Sequence, residues 1–224
     1  MRRCLIAGKE AKPTFPVTIL TEGLNALTLP ATERVVDAFT LYLRELKKWT
    51  RVHNLTSITE DVGIVQRHFL DSLLYLSCLP KEAQSVIDVG SGAGFPGLPL
   101  KIIRPELTMY LLEPTGKKAA FLRHMVTTLS LMDVKVVQGR LEDASTLMQG
   151  TKFDAAVVRS LFSIGDFVAK AADVVKSGGV MILSKGRDYK KELWGINSED
   201  LCIREITIPA TDIQRFIIVA IKGC

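Results

Sequence analysis

The sequence predicts an α/β fold: a seven-stranded, mostly parallel sheet ending in an antiparallel strand pair, with a helical cap on its N-terminal side. Three observations carry that expectation. After Pro80, short β-branched runs alternate with helix-length segments. The last two such runs are separated only by a loop, which fits an antiparallel edge pair. Before Pro80, apolar residues recur instead at three- and four-residue steps.

Taken in order, residues 1–30 are punctuated by Pro13, Pro16, Gly23 and Pro30 and have weak periodicity, so they read as a tail holding one short helix. From Thr32 onward, Val35, Val36, Phe39, Leu43, Leu46 and Trp49 make one apolar helical face, and Arg34, Arg44, Lys47, Lys48 and Arg51 the other. A second helical stretch over 62–78 has Ile64, Val65, Phe69, Leu73, Leu74 and Leu76 as its buried set. Residues 31–80 therefore form the cap, and 81–224 the sheet domain, in one compact unit. Strands are expected at 85–89, 108–112, 134–138, 155–158 and 180–183, then at 202–208 and 215–221.

Composition narrows the class. The chain has 224 residues, 47% hydrophobic and 24% charged, which is ordinary for a folded protein and enough for a core that needs no disulfides. With 16 Gly and 9 Pro and no period, collagen-like and low-complexity classes are excluded. No stretch reaches the roughly eighteen apolar residues of a membrane helix. Met1 to Lys9 lacks the apolar run of a signal peptide, so a cytoplasmic protein with no membrane contact is expected. Cys4, Cys78, Cys202 and Cys224 are far apart and form no CxxC pair, which argues against zinc or redox chemistry. Lys and Arg number 29 against 24 for Asp and Glu, a mild basic excess compatible with a nucleic-acid partner.

The strongest local signal is the run from Val86 to Gly97, VIDVGSGAGFPG, where a strand ends, a glycine-rich turn follows and a helix opens. Two ligands fit it. Gly92, Gly94 and Gly97 match the dinucleotide fingerprint G-x-G-x-x-G. Asp88, Gly90, Gly92 and Gly94 match the D-x-G-x-G pattern of class I, Rossmann-like S-adenosylmethionine (AdoMet) methyltransferases. Glu113 closes the second strand where either cofactor's ribose would be held. Asp88 separates the two, because a strand-end carboxylate repels a pyrophosphate but tolerates a sulfonium and an ammonium group. AdoMet is favoured over NAD.

At this point the chain resembles a known family, RsmG/GidB, the bacterial small-subunit ribosomal RNA methyltransferases that modify a guanine at N7. The resemblance spans about residues 35–222 and rests on Trp49, Asn54-Leu55-Thr56, Arg67-His68-x-Leu70-Asp71-Ser72 and the stretch from Asp88 to Leu100. It continues through Arg104-Pro105, Gly116-Lys117-Lys118, Phe121-Leu122, Arg140-x-Glu142, Arg159, Lys185-Gly186 and Arg215. It implies AdoMet as cofactor and 16S ribosomal RNA, or the small ribosomal subunit, as the partner of a monomeric enzyme. It also implies that Asp88, Gly90, Gly92, Gly94, Phe95, Glu113, Leu141, Glu142 and Arg159 bind the cofactor. Arg159, Arg67 and His68 would make up the catalytic set, and Arg140, Lys185 and Arg215 would contact RNA. Where the family often has Asp, this chain has Glu113, whose longer side chain changes the reach to the ribose.

The chemistry can be argued apart from the resemblance. Guanine N7 carries a free lone pair, so no general base is obligatory. Rate would come from holding N7 and the methyl carbon about 3–3.5 Å apart and aligned. Arginines must then hold phosphates or guanine O6, because bidentate O6/N7 recognition would block the attacking atom. Plainer roles stand beside these: His68 with Asp71 could order a helix face, His53 and His124 be structural or solvent-facing, Trp49 be core, and the basic helix face be merely solvated. The alternative functions are a methyltransferase for another RNA or a small molecule, and an NAD-linked enzyme. The cluster of Arg67, Arg140, Arg159, Lys185 and Arg215 suits a polyanion better than a closed apolar pocket does.

Overall fold

The computed structural model describes residues 15–193 and 201–223. Most of the expected tail, with Cys4, and the terminal Cys224 lie outside the described residues. The short helix expected within residues 1–30 is Phe15–Ala26 (α1). It is no tail: Leu20 and Leu24 are buried, and a Cβ at Gly23 would lie 2.4 Å from Leu70 Cδ1. A helix of three turns interrupted by a glycine leaves too short a periodic signal to stand out from sequence alone.

Glu33–His53 (α2) starts at Thr32, whose hydroxyl accepts from the Val35 N–H, and stops at Asn54, which turns left-handed at φ 49°. Of its expected stripe, Val35, Phe39 and Leu46 are buried and Val36, Leu43 and Trp49 partly so, while Tyr42 joins the buried face unannounced. The next helical run is not uniform. It passes from Asp61–Ile64 (α3) through a π-helical turn, Val65–Leu70, into Asp71–Leu73 (α4) and a closing 3₁₀ turn, Leu74–Ser77. Such π turns concentrate at functional sites, and this one carries Arg67 and His68.

The strands are Ser85–Val89 (β1), Thr108–Leu112 (β2), Val134–Val137 (β3), Phe153–Arg159 (β4), Val175–Lys185 (β5), Leu201–Thr207 (β6) and Gln214–Ile221 (β7). They form one seven-stranded sheet in the order β3-β2-β1-β4-β5-β7-β6. The first five positions are parallel, while β7 pairs antiparallel with both β5 and β6. β4 is longer than the apolar run 155–158. Asp154 interrupts the apolar pattern but stays in the strand because its Oδ2 accepts from Gln84 N, Ser85 N and Ser85 Oγ at 2.8–2.9 Å.

Strand side chains alternate between two cores. Val86, Leu111, Val157 and Ile182 face the cap together with Gly97–Ile103 (α5) and Gly116–Thr128 (α6). Ile87, Leu112, Val158 and Leu183 face Ala144–Leu147 (α7) and Ile164–Ala171 (α8). The cap residues Leu24, Phe39, Tyr42 and Phe69 belong to the same packed cluster as the first strand face. Among the described residues no helix is long and apolar enough to cross a membrane, and Cys78 and Cys202 are free thiols.

Candidate active site

In this sheet the order of strand addition reverses between the parallel neighbours β1 and β4, and open α/β sheets bind ligands in the crevice at that switch point. Val89 and Val158 pair across it, so the residues that follow them, Gly90 and Arg159, emerge side by side. Gly90 adopts φ 69°, and its N–H and that of Ser91 both donate to the Leu112 carbonyl. A Cβ on Gly90 would stand 2.4 Å from Leu161 Cδ2, so the turn admits no side chain without displacing that residue.

Beyond this turn lies a cavity of about 210 Å³ lined by Gly90, Pro114, Arg140, Leu141, Glu142 and Phe162. Small-ligand pockets start at roughly 300 Å³, so a nucleoside-sized group needs the exposed Leu161 at its rim to move aside. Leu161 is 56% exposed, and only solvent resists that movement on its outer side. Leu141 is buried in the wall, whereas Glu142 lies exposed at the rim and pairs with Lys170 at 2.6 Å.

Two acids expected at the cofactor are committed to the backbone. Asp88 is fully buried, and its Oδ2 accepts from the Gly97 N–H at 2.9 Å. Its Oδ1 meets no donor. Burial pushes its carboxyl up to about 7, against the opposing pull of the Gly97 N–H and Arg159. Asp88, expected at the cofactor, thus braces the start of α5 and is not among the residues lining the cavity. Gly97 permits this closeness, since a Cβ there would lie 2.7 Å from Asp88 Oδ2. Glu113, 3% exposed, accepts from Gly92 N at 2.8 Å and Thr115 N at 2.9 Å, so the longer side chain reaches back to hold the glycine turn.

Phe95 also looks inward. Its ring stacks on His68 at 4.6 Å and 15°, and on Tyr42 at 5.4 Å and 13°. The Tyr42 hydroxyl donates to the Ala93 carbonyl within the turn. His68 Nε2 lies 2.7 Å from Thr56 Oγ1, which explains why the Asn54-Leu55-Thr56 and Arg67-His68 segments go together. Burial first, and then the nearby Arg159 charge, depress His68 to about 3. At neutral pH this ring is uncharged, buried and packed. Expected in the catalytic set, His68 sits here as a buried support for the Phe95 ring.

The arginines divide. Arg67 is exposed, and its carbonyl accepts from Arg159 Nη1 at 3.2 Å. The Arg159 guanidinium lies 5.0 Å from the Phe95 ring centre. Arg215, at the start of β7, donates through Nε to Asp71 Oδ1 at 2.9 Å, and Arg159 Nη1 is 3.6 Å from Asp71 Oδ2. Lys185, expected to contact RNA, is largely buried, pairs with Glu192 at 2.7 Å and donates to the Phe162 carbonyl. A neutralising Glu seven residues downstream, on a 3₁₀ turn, is a partner that no strand or helix period announces. Arg140 remains exposed beside the cavity.

Sequence reasoning gave no separate role to Asp71, Tyr42 or Tyr75. Tyr75 donates to the Val158 carbonyl at 2.6 Å, one residue before Arg159. The available signal was the tyrosine itself, since a buried hydroxyl must find an acceptor. His124 pairs with the buried Glu45 at 2.8 Å, and Trp49 packs half-buried against His53, His124 and Phe121. On the basic face of α2, Lys47 pairs with Asp61, while Arg44, Lys48 and Arg51 are exposed.

The chain is similar to known proteins. A family model described as GidB, rRNA small subunit methyltransferase G, matches residues 36–207. A protein named ribosomal RNA small subunit methyltransferase G from Roseiflexus sp. (strain RS-1) is 36% identical over 210 residues, covering 90% of each chain. One of the same name from Neisseria meningitidis serogroup B is 34% identical over 206 residues, covering 91% of this chain and 97% of its own. Among solved structures, a methyltransferase from Geobacter sulfurreducens superposes with a TM-score of 0.55 at 16% identity, over 90% of this chain and 93% of that one. TYW2 of M. jannaschii, solved in complex with AdoMet, gives a TM-score of 0.54 at 15% identity over 75% and 80% of the two chains. At these identities the two structures speak to the fold alone.

Proposed function

The chain belongs to the family of ribosomal RNA small subunit methyltransferases G, and from that premise we propose that it transfers the methyl group of AdoMet to N7 of a guanine in 16S ribosomal RNA. The observation that carries this reading is a side-chain-free turn at Gly90 beside Arg159, on the sheet edge where cofactor and base must meet. The residues present fit AdoMet. Gly90 turns no side chain toward the cavity, Leu141 supplies an apolar wall, Glu142 offers an acceptor at the rim, and Glu113 holds the glycine turn from behind. Bound there, the cofactor would supply an electrophilic methyl group. No phosphate is needed in such a ligand, in keeping with an acid at the end of β1.

The protein's own part is positioning. Arg159 and Arg67 would hold the guanine O6 or neighbouring phosphates and leave N7 free. A buried, neutral His68 supports Phe95 and, through it, the Arg159 guanidinium, and an N7 nucleophile asks for no proton transfer from it. Exposed Arg140 offers a further contact to the RNA backbone. Such a substrate puts the enzyme's work in the cytoplasm on ribosomal particles, and one cofactor cavity per chain requires no second copy.

The direct test is transfer of tritium from methyl-labelled AdoMet into naked 16S RNA and into small subunits, followed by base analysis. Label recovered as 7-methylguanine supports the reading. Label on another base, or none on either substrate, rejects it.

A further inference from the structure

Asp71 is 2% exposed and immediately follows the π-helical segment, yet it touches two arginines from different strands. Its Oδ1 takes the Arg215 Nε–H at 2.9 Å, and its Oδ2 lies 3.6 Å from Arg159 Nη1. Arg159 Nη1 is also committed to the Arg67 carbonyl at 3.2 Å. Among the described residues no acceptor meets Arg159 Nε or Nη2, or Arg215 Nη2. Two guanidinium groups thus share one buried carboxylate and keep an excess positive charge, with part of each donor fork still unpaired. Both side chains are partly open, 19% exposed at Arg159 and 25% at Arg215. Asp71 itself is drawn two ways: burial raises its carboxyl, and the two arginines pull it back.

The geometry points to an oxyanion site formed by Arg159 and Arg215 and aimed by Asp71, whose ligand is a backbone phosphodiester next to the target base. This inference rests on the RNA-methyltransferase reading above. A planar fork fixed at one edge offers its other edge in a set direction, which suits the tetrahedral oxygens of a phosphate. The pair also stands at the right place, since Arg159 emerges beside Gly90 and Arg215 begins the second strand beyond β4 on the same sheet edge. Asp71 is a positioning residue: it contacts no substrate but decides where two donors point.

The other source of such an oxyanion is the carboxylate of the cofactor, and the experiment separates the two. Arg215→Gln, at the more open of the two arginines, is compared with Asp71→Asn, which keeps the size and one acceptor oxygen. The readouts are AdoMet affinity by calorimetry, and affinity for a 16S RNA fragment at several salt concentrations. If the site holds phosphate, Arg215→Gln weakens RNA binding about tenfold and reduces the log–log salt slope by roughly 0.7–0.9, one contact's share. AdoMet affinity stays within about twofold. Asp71→Asn produces the same pattern, and the double variant is no worse than the poorer single one, because both act on the same donors.

Additive losses, or an unchanged salt slope, overturn the proposal. So does a loss of AdoMet affinity with RNA binding intact, which would assign the site to the cofactor carboxylate. If Asp71→Asn fails to fold, Arg215→Gln alone decides by its slope, with Arg215→Lys expected to recover most of the slope but not all of the affinity. RNA binding is measured without methyl transfer, so failure of this site and failure of the methylation reading are seen separately.

Discussion

At the scale of single residues, the most demanding position is Gly90. Gly90→Val places a branched side chain at φ 69° and against Leu161, in the space that leads to the cavity. AdoMet binding should fall by at least about a hundredfold in calorimetry, while circular dichroism still reports a folded sheet. Asp88 gives a prediction of opposite kind. Its folded carboxyl titrates near 7, above the 3.8 of a free one, so the native state holds the proton more tightly than the unfolded chain does. The stability tied to this group is complete below about pH 4 and is lost as pH rises through 7. Asp88→Asn keeps the acceptor for Gly97 and removes the ionisation. It should therefore be more stable than the parent at pH 7.5, by up to about 4 kcal/mol, and indistinguishable from it near pH 4. Urea midpoints across that range check both limits.

Among the secondary-structure elements, legibility follows how much of an element's identity is local. The β1 turn, the stripe of α2 and the antiparallel ending could be read because each is a pattern within about a dozen residues. For α1 only a short helix was legible and not its packing, because what holds Leu24 is contact with the distant cap and not its own period. The same distinction runs through the site. Gly90 and Glu113 were legible as a turn and a strand end, although Glu113 turns out to serve the turn's own backbone. The pairing of Lys185 with Glu192, and the hold of Asp71 on Arg215 across 144 positions, depend on tertiary contacts that no spacing encodes. α1 supplies the test at this scale. Leu24→Ala empties a fully buried site and should cost about 2–5 kcal/mol of global stability in denaturant titration. A cost under about 0.5 kcal/mol would return this helix to the status of an appendage.

For the molecule as a whole, charge and architecture predict how it meets a polyanion. Arg44, Lys48 and Arg51 on the cap and Arg67 and Arg140 near the cavity are exposed, whereas Lys185 is withdrawn into an internal pair. RNA affinity should fall steeply with salt, in proportion to the phosphates contacted, while AdoMet affinity barely changes. Charge reversal at Lys185 should disturb the loop near Phe162 more than it alters the salt slope, and a fluorescence-anisotropy titration distinguishes the two effects.

The grip of the cap on the glycine turn has one more consequence. Tyr42 and His68 both hold this turn from cap elements, one through the Ala93 carbonyl and the other through the ring of Phe95. A ligand that binds the ordered turn must then stabilise distant backbone in proportion to its occupancy. Amide protons in the middle of α2, far from any contact with the nucleoside, should exchange with deuterated solvent more slowly once AdoMet is added. Those in the β6–β7 hairpin should be affected least. Tyr42→Phe, which keeps the ring but cuts the link to Ala93, should reduce that protection in α2 while the hairpin amides stay as they were.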